Sequence, residues 1–287
     1  MSTVTATRPN SAPANVDPSF RFLQDIAKDL ASGDVNFPTF SAATVEVRAA
    51  LDDQNVNAER LARVISREPL VSAKLVRLAN STALNPAGRP IADVRTAVIR
   101  VGHSSVRSVA VAVAFDQLRA DRDLQTHRDK AEAAWKHSVQ VASLSYVIAS
   151  KLTRLAPDEA MFAGLVHDIG YFYLLSRTGR YPELESDPHA LDEILRGWHP
   201  SIGQSVLHSF GLTPAVMEAV GEHEAGPYKM PPRTMRDVVR IANLLADDTN
   251  PARDPAAPLA ELNEPELAAI IAQSRDQLGS LISALHA

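Results

Sequence analysis

Apolar residues recur three and four positions apart along most of the chain, the spacing of one helix face. Phe20, Leu23, Ile26, Ala27 and Leu30 form a first stripe, which Gly33 ends. A second helix is expected after Pro38, with Val45, Ala49 and Leu51 inside it. A third opens at Asn57 and runs through Leu61, Val64 and Ile65; a fourth starts at Pro69 and holds Leu70, Ala73, Leu75, Val76 and Leu78. Asp93 is placed to cap a helix through Val98 and Ile99, and Gly102 to stop it. From Val106 to Phe115 the alternation fits a strand, yet alanines fill the gaps and no turn signal comes after it. A buried helix is expected there.

Beyond the polar stretch from Arg119 to Asp129, a long helix carries Trp135, His137, Val141, Leu144 and Ile148. Pro157 and Asp158 open another, read as continuous through Gly164, His167 and Gly170. Asp187-Pro188 begins a helix ending near Gly197, and His199-Pro200 starts the next, with proline in the favoured first position and Gly211 closing it. Thr213-Pro214 repeats the device up to Gly221. A proline-rich loop over 226–232 precedes a helix from about Arg233 to Asp247, and a last helix starts near Glu264. The pattern predicts an all-α, two-lobed protein. Its divisions are a disordered lead over 1–16, an N-terminal helical bundle over 17–120, a second helical lobe over 121–250, and a linker with a C-terminal helix over 251–287. Leu278, Leu281, Ile282 and Leu285 on that last helix pack internally or against a second copy.

Composition narrows the chemistry. Aromatics are only 5%, so the core rests on Ala, Val, Leu and Ile. There is no cysteine, which excludes disulfides, thiolate metal sites and cysteine nucleophiles, and suits a reducing compartment. No apolar run reaches the roughly 18 residues that span a bilayer, and the N-terminal stretch lacks the apolar segment of a secretion signal. A soluble, cytoplasmic protein with no membrane association is expected. A net charge of −5 argues against nonspecific nucleic-acid binding. From Arg60 to Ala120, however, ten Lys/Arg stand against three Asp/Glu, a local balance of +7. The ordinary account is a solvated helical surface; the functional one is a face for an acidic protein partner or a nucleotide.

Of nine histidines, four sit where a site is credible: His137, His167, His199 and His223. Neighbours on a helix diverge by about 100°, so the doublet His167-Asp168 serves one ion only if that ion lies between the two side-chain directions. A buried Asp168 needs a metal, an arginine or imidazole N–H groups as partner. His199 beside a helix N-terminus would stay neutral, the form that binds metal. Glu222 and Glu224 flank His223 and put carboxylates within reach. Taken singly, each of these residues is more often a satisfied structural histidine than a ligand.

The order of these residues resembles an HD-type domain, and the fuller pattern resembles the HDOD family. His137, His167-Asp168 within HDIG, His199 within HPSIG and His223 within EHE match ligand positions of HD and HD-GYP relatives in order. Phe37-Pro38, Arg67-Glu68-Pro69-Leu70, Leu78-Ala79-Asn80-Ser81, Ala97-Val98 and Val101-Gly102 match the N-terminal part of HDOD. The resemblance implies an HD-like second lobe with an inherited pocket for a divalent metal (Fe, Mn, Zn or Mg). Asp168 would then be the central acidic residue of any catalysis. The chain departs from the family pattern at three places. Tyr171 replaces the lysine that comes after HDIG in active relatives, Asn243 stands where a ligand aspartate is expected, and the GYP loop is absent, with Lys229 the cation nearest to phosphate duty in the loop that replaces it. With these departures, the resemblance implies a bacterial signal-transduction module that binds a protein partner or a nucleotide. The alternative it implies is a metal-dependent phosphohydrolase of nucleotides or cyclic dinucleotides.

Overall fold

A computed structural model describes residues 17–32, 46–47, 49–51, 53, 55–119, 122–208, 212–256, 258 and 262–286. The lead over 1–16, the start of the helix after Pro38, Phe37-Pro38, and the stops at Gly33 and Gly211 lie outside them. Among the described residues the protein is all-α, with no strand. The helices are α1 (Pro18–Ala31), α2 (Ala58–Ile65), α3 (Pro69–Ala79), α4 (Val94–Arg119), α5 (Arg128–Leu152), α6 (Pro157–Val166), α7 (Ile169–Leu175) and the short α8 (Pro182–Glu185). They continue with α9 (Pro188–His208), α10 (Pro214–Glu222), α11 (Met235–Leu245), α12 (Pro265–Gln273) and α13 (Arg275–His286).

Their starts reflect local chemistry. Proline occupies the first turn of α1, α3, α6, α8, α10 and α12, where its missing N–H has no helical partner to lose. Side-chain oxygens of Asp17, Asn57, Asp93 and Thr213 accept from free backbone N–H groups at the next turn, and Thr234 with Asp237 forms a reciprocal capping box. The ambiguous stretch after Val106 is helical. Gly102, at φ 76° and ψ 171°, stops one helical run, and the next begins at once, so α4 is two runs in line. By length and composition the stretch 94–114 is long and apolar enough to cross a membrane, but its most apolar part is 61% buried inside the fold.

Three expected boundaries fall elsewhere. The helix read through Gly170 breaks at the doublet, with His167 closing α6 and Asp168 opening α7. The chain does not restart at His199, because α9 continues from Pro188 to His208 with Pro200 inside it. His199 is therefore mid-helix, and the dipole argument for its neutrality does not apply. The last helix is two, α12 and α13, broken at Ser274.

The arrangement is a layered helical assembly in which α5 packs on α6, α11 and α13, while α9 packs on α7 and α10. The buried apolar cluster runs from Phe22 to Leu285 through residues on both sides of position 120. Helix α13 packs inside the chain: Leu281 and Leu285 are buried, and the buried Lys74 of α3 donates to the Leu285 carbonyl at 3.0 Å. Helix α1 lies against α8 and α9, held by Tyr181, whose hydroxyl donates to Asp25 at 2.8 Å and whose ring meets Phe22 edge-on.

Candidate metal centre

Close backbone approach builds the site. A Cβ on Gly164 would lie 2.9 Å from Ala142 Cα and 2.9 Å from Val141 O, so α6 crosses α5 in near backbone contact. A Cβ on Gly170 would lie 2.0 Å from His199 O and 2.4 Å from Gly203 N. The glycines of HDIG and HPSIG thus face each other at the crossing of α7 and α9, which brings His199 over Asp168. The break at the doublet turns His167 and Asp168 inward together, and His167 Nε2 lies 3.3 Å from Asp168 Oδ2.

Each imidazole has its outer nitrogen occupied by an oxygen. His167 and His223 end α6 and α10, and their Nδ1–H groups donate at 2.7 Å to Gly164 O and Val220 O, carbonyls of the terminal turns. His199 Nδ1–H donates to Leu195 O at 2.8 Å. His137 Nδ1 meets Thr249 Oγ1 at 3.1 Å. The inner nitrogens converge. His199 Nε2 and His223 Nε2 are 3.0 Å apart, and each is 3.3 Å from Asp168 Oδ1. His137 Nε2 is 4.0 Å from Asp168 Oδ2 and 2.8 Å from Asn243 Oδ1.

His137, His167, Asp168, His199, His223 and Asn243 are each at most 2% exposed. Both Asp168 oxygens and His167 Nε2 are buried with no hydrogen-bond partner, although imidazole nitrogens lie within ion-pair reach. Burial pushes His167 down to about 3 and also lowers His137. Burial opposes the charged form of Asp168 too, but His167, His199 and His223 outweigh it and hold the carboxyl well below the usual carboxylate range. At His199 the Asp168 carboxylate wins over burial and raises the imidazole. With Nδ1–H committed outward at His167, His199 and His223, their Nε2 lone pairs and the carboxylate face a common interior.

The donor set fits divalent ions. Ligand atoms about 2.1 Å from one ion lie about 3 to 4 Å apart as the angle between them opens. The contacts above among the imidazoles and Asp168 run from 3.0 to 4.0 Å. Among the described residues two triads bring their ligand atoms within 4.8 Å of one another, His137–His167–Asp168 and Asp168–His199–His223, and Asp168 belongs to both.

Of the other sequence candidates, Lys229 is exposed, with no hydrogen bond or ion pair to the cluster. Tyr171 is buried, its ring 6.3 Å from that of His199, and burial raises its phenol far above the ordinary value. Three further side chains support the cluster, and of these only Glu224 is marked in the sequence. Glu224 accepts from Asn243 Nδ2 at 3.1 Å, Thr249 holds His137, and Arg240 donates to His223 O at 2.9 Å. Glu224 carries a signal in its place beside His223. Glu222, its counterpart on the other side, turns away to Arg236.

An all-helical fold around a buried His/Asp centre of this order defines an HD-like protein. The model of the HDOD domain matches residues 37–225, and the chain belongs to that family. Among solved structures it is similar to a candidate metal-dependent phosphohydrolase from Shewanella amazonensis SB2B, at 21% identity and TM-score 0.69 over 93% of this chain and 99% of that one. It is also similar to an HDOD domain protein with unknown function from Geobacter sulfurreducens, at 21% identity and TM-score 0.60 over 94% and 99%. A signal transduction candidate from Marinobacter aquaeolei VT8 shares the fold at 17% identity and TM-score 0.57, over 95% of this chain and 67% of that one. Curated relatives include an uncharacterized protein of Treponema pallidum (strain Nichols), 23% identical, and Ribonuclease Y of Chlorobaculum tepidum, 26% identical. The matches cover 71% and 65% of this chain but only 40% and 31% of those relatives' lengths.

Proposed function

We propose that this chain is a noncatalytic regulatory module, assembled around a buried divalent metal centre, that acts by contact with a protein signalling partner or by binding a nucleotide. The observation that carries this reading is the set of inward lone pairs. His199 Nε2 and His223 Nε2 stand 3.0 Å apart beside a carboxylate whose oxygens have no hydrogen-bond partner. A cation resolves that arrangement; leaving it bare buries unpaired polar atoms. A donor set so rich in imidazole suits Fe, Mn or Zn better than Mg.

Two features support regulation over turnover. The donor side chains are at most 2% exposed, so they are not open at the surface to a phosphoester. Tyr171 occupies the place of the lysine and stays neutral, so it offers no charge to a phosphate. The cysteine-free composition agrees with a cytoplasmic setting. The second reading, hydrolysis of a nucleotide or cyclic dinucleotide, is favoured by the two triads that share Asp168. A bound metal would there supply Lewis acidity and an activated water.

The test is elemental analysis of protein purified without chelator or histidine tag. We expect a stoichiometric transition metal that is lost in Asp168→Ala, the residue both triads share, and no hydrolysis of cyclic dinucleotides or guanosine polyphosphates under added Mn²⁺. A metal-free wild type sinks the metal centre. Hydrolysis abolished by Asp168→Ala would replace regulation with the second reading.

A further inference from the structure

Resting on the metal-centre reading, we infer that Asn243 Oδ1 is a ligand to the ion of the His137–His167–Asp168 triad, and that Glu224 is the positioning residue that turns the amide toward it. The substitution of a neutral amide for a carboxylate thus keeps a ligand and makes the two ion sites unequal.

The orientation is fixed from outside the cluster. Asn243 Nδ2 donates to Glu224 Oε1 at 3.1 Å, and the same oxygen accepts from Asn250 Nδ2 at 2.9 Å. Arg240 lies 3.6 Å from the other carboxylate oxygen. Flipping the amide would set its carbonyl oxygen against the Glu224 carboxylate, two acceptors with no proton between them. The oxygen therefore faces His137.

Protons then run short on the inner side. Thr249 has one hydroxyl hydrogen, and carbonyl oxygens lie at 2.8 Å (Ala246 O) and 3.2 Å (Gln140 Oε1) to take it. With that hydrogen on Ala246 O, the nearer carbonyl, Thr249 Oγ1 accepts from His137 Nδ1 and the His137 lone pair stands on Nε2. That lone pair faces Asn243 Oδ1 at 2.8 Å, an acceptor against an acceptor. A cation between them resolves that conflict, and His199 Nε2 and His223 Nε2 stand nearly as close, at 3.0 Å. The separation also suits two ligands of one ion.

The two sites then differ in their ligands. Both share the single anion Asp168. Each also has two imidazoles, but His137 Nε2 stands 4.0 Å from Asp168 against 3.3 Å for His199 and His223, and a neutral amide oxygen fills the place of an aspartate beside it. The ion of the His137–His167 site is therefore the weaker held.

The experiment is a Co²⁺ titration of the full chain after chelator treatment, monitored by visible absorption and calorimetry. Wild type is expected to take two ions of unequal affinity. Asn243→Asp is expected to tighten the weaker by about 10- to 100-fold, and Asn243→Ala and Glu224→Ala to weaken it by a similar factor while leaving the tighter ion nearly unchanged. Glu224→Gln keeps an acceptor oxygen and should retain most of the affinity. The gain expected in Asn243→Asp cannot come from misfolding. A weaker ion indifferent to Asn243 and Glu224, or a wild type that takes one ion only, overturns this inference and leaves the metal centre standing. A wild type that takes none overturns both.

Discussion

Gly170 sets the site more strictly than any of the ligands it serves, because the atoms its missing Cβ would strike belong to backbone. A methyl group there would lie 2.0 Å from His199 O and 2.4 Å from Gly203 N, and no side-chain rotation relieves either. Gly170→Ala must push α7 from α9, and we expect a loss of about 3 kcal/mol, the upper part of the usual overpacking range. Gly197, in the same helix α9, has open space around its Cβ direction. Gly197→Ala should therefore be neutral or stabilising by up to about 1 kcal/mol. Denaturant unfolding of the two variants measures both; equal effects would remove the argument from the crossing. Legibility at this scale is a matter of chemistry. The imidazoles and Asp168 stand out in the sequence because few roles suit them, and the structure brings them together with Asn243. Gly170 reads in sequence only as part of a continuous helix and of HDIG, since a backbone contact with a residue 33 positions away leaves no mark in its neighbours. Lys229 is the opposite case: a plausible cation whose loop carries it into solvent.

Helices whose starts carry a cap or a proline are legible, because those signals act within one turn. Breaks inside helices are legible at a glycine such as Gly102 but not elsewhere. His167 and Asp168 carry no breaker between them, and the end of α6 is stabilised by the imidazole itself, which bonds Gly164 O. Pro200 misleads in the reverse direction, a start signal absorbed into the interior of α9. Docking of α1 is invisible in sequence because it rests on distant partners, above all the bond from Tyr181 to Asp25 at 2.8 Å. Burial, then that carboxylate, push the Tyr181 phenol up to about 12. Since the folded value lies above the free one of about 10, the contribution is fully present below pH 10 and is lost as pH rises through 12. Tyr181→Phe should speed amide exchange across α1 about 2- to 10-fold, the effect of one lost hydrogen bond. Phenolate absorbance should place Tyr181 as a late-titrating tyrosine, and a value near 10 would mean α1 does not hold it.

For the whole molecule, the candidate ligands are drawn from α5, the α6–α7 junction, α9, the end of α10 and α11, so an ion there ties together elements far apart in sequence. The apolar core already spans both halves, and α13 returns to α3 through Lys74 and Leu285. Metal removal should therefore lower the stability of one cooperative unit instead of releasing a single region. An ion at a hundred times its dissociation constant adds about 2.7 kcal/mol, since the unfolded chain has no assembled site. With the unfolding entropy of a chain this long, that corresponds to a fall in Tm of about 5 °C on chelation. Calorimetry of metal-loaded and chelated protein should give one transition in each state, displaced by that amount. Asp168→Ala, which lacks the ligand common to both triads, should not respond to chelator. If chelation instead splits the transition in two, the halves fold separately and the metal stabilises only one of them. An unmoved transition in the loaded wild type would mean that the ion does not join these helices.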